Sequence, residues 1–253
     1  MKHVNFVKVL FCKMEMWYIR ESKETFREDR KMNFLSIFDV IGPNMIGPSS
    51  SHTAGACSMA LLARKMCPEP VKKVVFTLYG SFSKTYHGHG TDRALLGGML
   101  GFETDDARIR DAFDWAKKMG VEYEYVIDEK TVTDHPNTAD MEITGVNGHH
   151  LSVRGESIGG GKIKIVRING IDVEFTGEYS TLIVRQIDKP GVVAHITQCL
   201  SKNDVNIAFM RLFREDKGAT AFTVVESDEK IPEEILDQIR ENNNVQDLML
   251  VQM

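Results

Sequence analysis

The sequence predicts an α+β protein: an N-terminal α+β domain followed by a smaller domain with the element order βαββαβ. Three observations carry this. Helix-period apolar patterning dominates from Ala54 to Met119, short strand-like runs separated by turn signals fill Val121 to Phe175, and residues 180–253 form one compact cycle of strands and helices. With 253 residues, 42% hydrophobic and 26% charged, the chain has the ordinary composition of a globular protein and material for two cores.

Residues 1–31 stand apart. The apolar residues between Val4 and Ile19 are interrupted by Lys8, Lys13 and Glu15, and no small-residue cleavage site follows, so this is not a secretory signal. Arg20 to Lys31 is almost wholly charged and polar. Residues 1–31 are therefore expected to be a non-native or disordered leader, with the functional chain starting at Met32. Phe34, Leu35, Phe38 and Ile41 then fall at helical spacing until Gly42-Pro43 stops them.

A Gly/Pro-rich loop, 44–48, leads into Ser49-Ser50-Ser51-His52-Thr53. Ala54 to Met66 is rich in alanine, leucine and methionine and ends before Pro68, so it is expected as a helix. Val71 to Tyr79 reads as a buried strand, and Gly80 to Gly90 as a loop containing His87-Gly88-His89-Gly90. Helices are expected over Thr91 to Met99 and Asp105 to Met119, the second with Ile109, Ala112, Phe113 and Ala116 on one face and Gly120 as its stop. Val121 to Ile127 alternates as a strand. Met141–Thr144, His150–Arg154, Lys162–Ile168 and Ile171–Phe175 are further short strands, with Asn147-Gly148 and Asn169-Gly170 as tight turns. Thr176-Gly177-Glu178 is the expected linker, which gives domains at 32–176 and 180–253.

The second domain opens with a strand, Ser180 to Gln186, the turn Asp188-Lys189-Pro190-Gly191, and a helix from Val192 to Lys202. Strands Val205–Phe213 and Ala219–Glu226, a helix Pro232–Glu241 and a strand Val245–Val251 complete the cycle. That order is the ferredoxin-like arrangement.

Charge and cysteine usage exclude some functions. A net charge of −5 argues against nucleic acid or an anionic membrane surface as partner. No apolar run approaches the roughly 18–20 residues that cross a bilayer. The four cysteines, Cys12, Cys57, Cys67 and Cys199, are scattered, without a C-x-x-C pair or matching histidines. They read as free thiols of a reducing cytoplasm, with no metal site in this chain.

Several stretches carry family resemblances. Leu182 to Val193, with its D-x-P-G turn, and Asp204-Val205-Asn206-Ile207 resemble the opening and second strand of ACT domains. A turn entering a helix exposes backbone N–H groups that suit the carboxylate of a small amino acid. Asp188, Gly191 and Asn206 are the candidate ligand residues. Pro190-Gly191 serves equally as a plain strand-to-helix turn, and many ACT domains act as pairing surfaces, so self-association through this domain is a parallel expectation.

Ile46 to Gly55 is the other telling stretch. Three serines before a helix supply a cap and an anion site. They read equally as a cap alone. A serine hydrolase is a poor reading, because adjacent residues on a helix or strand point apart and no G-x-S-x-G elbow is present. The stretch closely resembles the S-S-S-H-T signature of iron–sulfur L-serine dehydratases. Ser36 to Pro43, Tyr79-Gly80-Ser81-Phe82, Gly88 to Asp92, His135-Pro136-Asn137-Thr138 and Ser157 to Gly161 resemble the beta subunit of the same family. The N-terminal domain is also similar to the allosteric substrate-binding domain of some phosphoglycerate dehydrogenases.

The resemblance implies conversion of L-serine to pyruvate and ammonia. It also implies a partner alpha subunit that holds a [4Fe–4S] cluster, whose open iron acts as Lewis acid on the departing hydroxyl. His52 becomes the candidate base or proton shuttle and His89 a second polar contact. Ser49, Ser50, Ser51 and Thr53 become donors to the substrate carboxylate. His87, His135, His149 and His150 read as turn or surface residues. Gly159-Gly160-Gly161 has the composition of a phosphate-cradling loop, but no helix follows it, so it reads as a turn. The competing expectation is a non-catalytic, amino-acid-sensing regulatory subunit.

Overall fold

The computed structural model describes residues 44–252. The leader at 1–31, the helical turns expected between Phe34 and Ile41, and Cys12 lie outside the described residues. A single wide turn, Ser50–Ala54, enters α1 (Gly55–Met66). Then follow β1 (Val71–Tyr79), α2 (Gly80–Thr85), α3 (Thr91–Met99), a 3-10 turn (Ala107–Asp111), α4 (Ala112–Met119) and β2 (Glu122–Asp128). Four strands come next: β3 (Thr138–Gly145), β4 (His150–Gly159), β5 (Lys162–Ile168) and β6 (Ile171–Phe175). The chain ends with β7 (Ser180–Ile187), α5 (Val192–Lys202), β8 (Phe209–Arg214), β9 (Thr220–Ser227), α6 (Glu234–Arg240) and β10 (Val245–Val251).

The strands make two sheets. The first has the order β2-β1-β3-β4-β5-β6. Its β1/β2 pair is parallel, with Lys73 opposite Glu122 and Tyr79 opposite Asp128, and its remaining pairs are antiparallel. The second has the order β10-β7-β9-β8 and is antiparallel throughout, as the ferredoxin-like reading requires. This is the α+β class expected.

Helix α1 forms because small and unbranched residues recur along it, and its buried face carries Ala56, Met59, Ala60, Leu62, Ala63 and Met66. It lies against the first sheet and against α3. The approach to α3 is close enough that a Cβ on Gly98 would stand 2.2 Å from the carbonyl oxygen of Cys57, so only glycine fits. The second sheet is covered on both faces. Leu182, Val184 and Val225 face α5 and α6, with Ile196, Leu200 and Ile235. Ile183, Phe222, Val224, Met249 and Val251 join the core of the first sheet instead. Each such large side chain contributes about 1.5–3 kcal/mol by leaving water.

Several elements differ from expectation. Gly80–Thr85 is a short helix rather than loop, because Phe82 is fully buried and two hydroxyls bond back into the turn: Ser83 Oγ to Gly80 O at 2.8 Å and Thr85 Oγ1 to Ser81 O at 2.8 Å. The helix expected over Asp105–Met119 is divided, since Asp111 leaves the helical region (φ −113°, ψ 28°) between the 3-10 turn and α4. Strand β8 starts at Phe209 rather than Val205. Asp204 sits at φ +55°, and main-chain pairing with β9 begins where Ala208 N meets Glu226 O at 2.9 Å. Helix α6 is shorter than the Pro232–Glu241 expected. Strands β3 and β4 run longer than expected, to Gly145 and Gly159.

Candidate active site

The serine run folds into a cap that bends back on itself. Ser49 is extended (φ −139°, ψ 127°), and its Oγ accepts the backbone N–H of His52 at 3.1 Å. Its carbonyl accepts from Thr53 N at 2.9 Å and Ala54 N at 3.3 Å, which widens the first turn. In that turn Ser51 Oγ reaches the Nδ1 of His52 at 3.0 Å and lies 3.4 Å from Ser49 Oγ. The expectation that neighbouring Ser51 and His52 point apart is therefore overturned, and the reason is the wide turn. The hydrolase reading gains nothing from this, since both ring nitrogens of His52 meet hydroxyls and no described carboxylate hydrogen-bonds to the ring.

The other nitrogen, Nε2, lies 2.9 Å from Ser81 Oγ. Ser81 opens α2 and is placed by its backbone. Gly80 adopts φ +55°, where a Cβ would stand 2.5 Å from Pro136 O, and the N–H of Ser81 donates to that same carbonyl at 2.6 Å. Phe82 meets the His52 ring edge-on at 5.3 Å.

His89 comes from the loop that closes α2. Its ring centroid is 4.8 Å from that of His52, and its carbonyl accepts the hydroxyl of buried Thr53 at 3.0 Å. The Nδ1 of His89 is buried without a hydrogen-bond partner. Burial, and secondly the neighbouring His89, hold the pKa of His52 below its ordinary 6.5, so its ring is neutral at pH 7. A cleft of about 230 Å³ opens beside His89, lined among others by Pro48, Thr53, Arg93 and Arg110. His87 lines the same cleft and pairs with buried Asp92 at 2.7 Å.

A third segment supports the turn from below. Ser157 Oγ donates to Ser51 O at 2.8 Å, and Ser157 N donates to Asn137 O at 2.9 Å. The Oδ1 of Asn137 is a second buried atom without a partner. The structure thus brings Ser49, Ser51, His52, Thr53 and His89 together, with Ser50 half-buried in the same turn. Ser81, Asn137 and Ser157 were not singled out from the sequence. Each stood in a stretch that resembled the family, but only convergence across distant segments marks them.

The candidate residues of the second domain are arranged differently. Asp188 Oδ2 accepts from Arg214 Nη1 at 3.3 Å and from Gly218 N at 3.2 Å, which ties the strand-to-helix turn to the β8–β9 hairpin. Gly191 (φ +91°) precedes α5 and is exposed. Asn206 is exposed ahead of β8.

An iron–sulfur cluster does not fit the described thiols. Cys57, Cys67 and Cys199 are free and buried on separate parts of the fold. The Cys57 Sγ donates to Phe102 O at 3.4 Å, and burial pushes its pKa up to about 12, against the thiolate a cluster needs. Among the described residues no group of three or more His, Cys, Asp or Glu gathers as metal ligands. No helix among them is long and apolar enough to cross a membrane.

Comparison with known proteins sharpens the picture. Residues 36–166 match the family model described as serine dehydratase beta chain, and residues 180–244 match the ACT domain model. The chain is 41% identical over 214 residues to the probable L-serine dehydratase beta chain of Bacillus subtilis, covering 85% of this chain and 96% of that one. It is 41% identical over 208 residues to the L-serine dehydratase beta chain of Peptoniphilus asaccharolyticus, covering 82% and 94%. It is 26% identical over 199 residues to the D-3-phosphoglycerate dehydrogenase of Bacillus subtilis, covering 76% of this chain and 36% of that enzyme.

Proposed function

The chain belongs to the serine dehydratase beta chain family, and from that premise we propose that it is the beta subunit of an L-serine ammonia-lyase. With an alpha subunit it deaminates L-serine to pyruvate and ammonia. The observation that carries this is His52: neutral, half-buried, held between two hydroxyls at the start of a helix, and free of any described carboxylate.

In this reading His52 takes the Cα proton of serine. The C–H electron pair becomes the Cα=Cβ bond, the Cβ–O bond breaks, and the departing hydroxide takes up a proton to leave as water. The aminoacrylate formed then hydrolyses to pyruvate and ammonia. Histidine suits this work because its neutral form predominates at pH 7 while its conjugate acid still returns the proton. Ser49, Ser50 and Ser51 hold the substrate carboxylate; Thr53, also expected there, donates its hydroxyl to His89 O and its N–H to Ser49 O and so fixes the turn instead. His89 is the second polar contact. The [4Fe–4S] cluster is assigned to the alpha subunit, because the thiols of this chain that are described do not converge.

The chain divides functionally into 32–176 and 180–253. The second part takes a small amino acid near Asp188, Gly191 and Asn206 and pairs with a second copy of itself. The complex works in the cytoplasm, without nucleic acid or membrane.

The test is anaerobic pyruvate formation from L-serine by the purified alpha subunit, with and without this chain. Activity that needs both supports the proposal. A second reading, a non-catalytic amino-acid-sensing regulatory subunit, is favoured by the long span shared with the phosphoglycerate dehydrogenase. Full activity of the alpha subunit alone would select it.

A further inference from the structure

We propose that Ser81 is the positioning residue of His52: its hydroxyl donates to Nε2 in the resting site and so keeps that nitrogen unprotonated, then turns aside as the substrate Cα–H meets the same lone pair. This rests on His52 being the base.

A neutral imidazole has one N–H and one lone pair, and the partner of each nitrogen decides which is which. Both partners here are hydroxyls, at 3.0 Å on Nδ1 and 2.9 Å on Nε2, so either direction is open to the ring alone. The surroundings break the tie. If Nδ1–H donates to Ser51, the Ser51 proton has Ser49 Oγ as an acceptor at 3.4 Å. The Ser81 hydroxyl hydrogen-bonds to no described group other than Nε2. One direction therefore gives every proton of the chain an acceptor except that of Ser49. That free donor lies in the serine run, where the substrate carboxylate is proposed to sit. The reverse direction leaves the Ser81 proton without a use and puts a proton on Nε2.

The placement of Ser81 is over-determined by its backbone. Its N–H is held by Pro136 O at 2.6 Å and its carbonyl by Thr85 Oγ1 at 2.8 Å. The adjoining Phe82 is fully buried against the His52 ring. Ser51, one residue from His52 in the chain, ties Nδ1 back to its own turn. Nε2 is thus the nitrogen aimed across to another segment. His89 is the titratable ring that faces His52, and Phe82 is neutral.

The experiment uses the reconstituted complex of this chain with its alpha subunit, comparing Ser81→Ala, Ser81→Thr and His52→Ala. Ser81→Ala is expected to lower kcat about tenfold with KM within about twofold, the scale of one neutral hydrogen bond lost from the base. Its acid limb in the pH–rate profile moves up, because a donor to the lone pair of the neutral ring is gone. Ser81→Thr, which keeps the hydroxyl, restores both. Wild-type kcat and an unmoved limb in Ser81→Ala would overturn the proposal. Should Ser81→Ala fold poorly, nitrogen NMR of the full chain labelled in histidine decides: His52 is expected with its proton on Nδ1, and a proton on Nε2 refutes the assignment. His52→Ala separates the two levels. If it keeps turnover, the base reading falls; if it alone loses turnover, only the role of Ser81 falls.

Discussion

The turn that enters α1 and the turn that enters α5 use similar materials: a glycine, a proline and small polar residues ahead of a helix. The first is met by side chains from elsewhere. Ser81 arrives from α2, His89 from the following loop and Ser157 from β4, and each makes a contact that the turn cannot make alone. The second turn receives Arg214 and Gly218 on Asp188, while Gly191 and Asn206 remain exposed. Residue type at a helix start is therefore weak information about chemistry. Convergence of buried polar groups from distant segments is strong information, because each is costly to bury unless something uses it.

The largest expected effect is at His52. In the complex with the alpha subunit, His52→Ala should lower kcat by about 10²–10⁴, the usual worth of a general base. Asp188→Asn should leave kcat within about twofold in the same assay. A large loss from Asp188→Asn would break the contrast between the two turns.

Glycine substitutions sharpen it on stability. Gly98→Ala drives a Cβ to 2.2 Å from the Cys57 carbonyl, and backbone cannot yield cheaply, so a loss of about 1–3 kcal/mol is expected in chemical denaturation. Gly191→Ala meets nothing within 4 Å and pays only for its left-handed φ, about 1–2 kcal/mol. A Gly98→Ala loss below about 1 kcal/mol would mean that α1 and α3 slide apart more freely than their contact implies.

A pH–rate profile tests the first turn alone. With the pKa of His52 held below 6.5, the acid limb should fall below that value. His89→Gln removes the second cause of the depression and should move the limb toward 6.5. The same sign governs stability. The unfolded chain takes up the proton first as pH falls through 6.5, so the folded state loses stability from there down to its own, lower pKa. A limb that does not move in His89→Gln would separate the two rings. The smallest effect is expected from Arg214→Ala, whose half-exposed ion pair with Asp188 is worth about 0–1 kcal/mol in thermal or chemical unfolding.

Local chemistry made much of the fold legible. Lys162–Ile168 and Ile171–Phe175 are strands at the expected bounds because Asn169-Gly170 accepts positive φ at both positions (49° and 83°), the geometry a two-residue hairpin needs. Thr91–Met99 and the βαββαβ order followed from periodicity for the same reason: a turn or an amphipathic face is specified by residues close in sequence. The stretch holding His52 was equally legible, since it lies in one continuous segment.

What tertiary structure decided was everything that depends on a partner far along the chain. Helix α2 exists because Phe82 finds a buried place, and β8 starts late because its ladder waits for Glu226. The second face of the β7–β10 sheet is covered because Phe222 and Val224 share the core of the first sheet. Ser81 stands against His52 across 29 residues of chain. Periodicity and turn chemistry report on neighbours within a few residues, so the sequence by itself determined most of the elements and the reactive segment. Which hydroxyls and rings meet around His52 is set by packing between segments, and that only the folded chain decides.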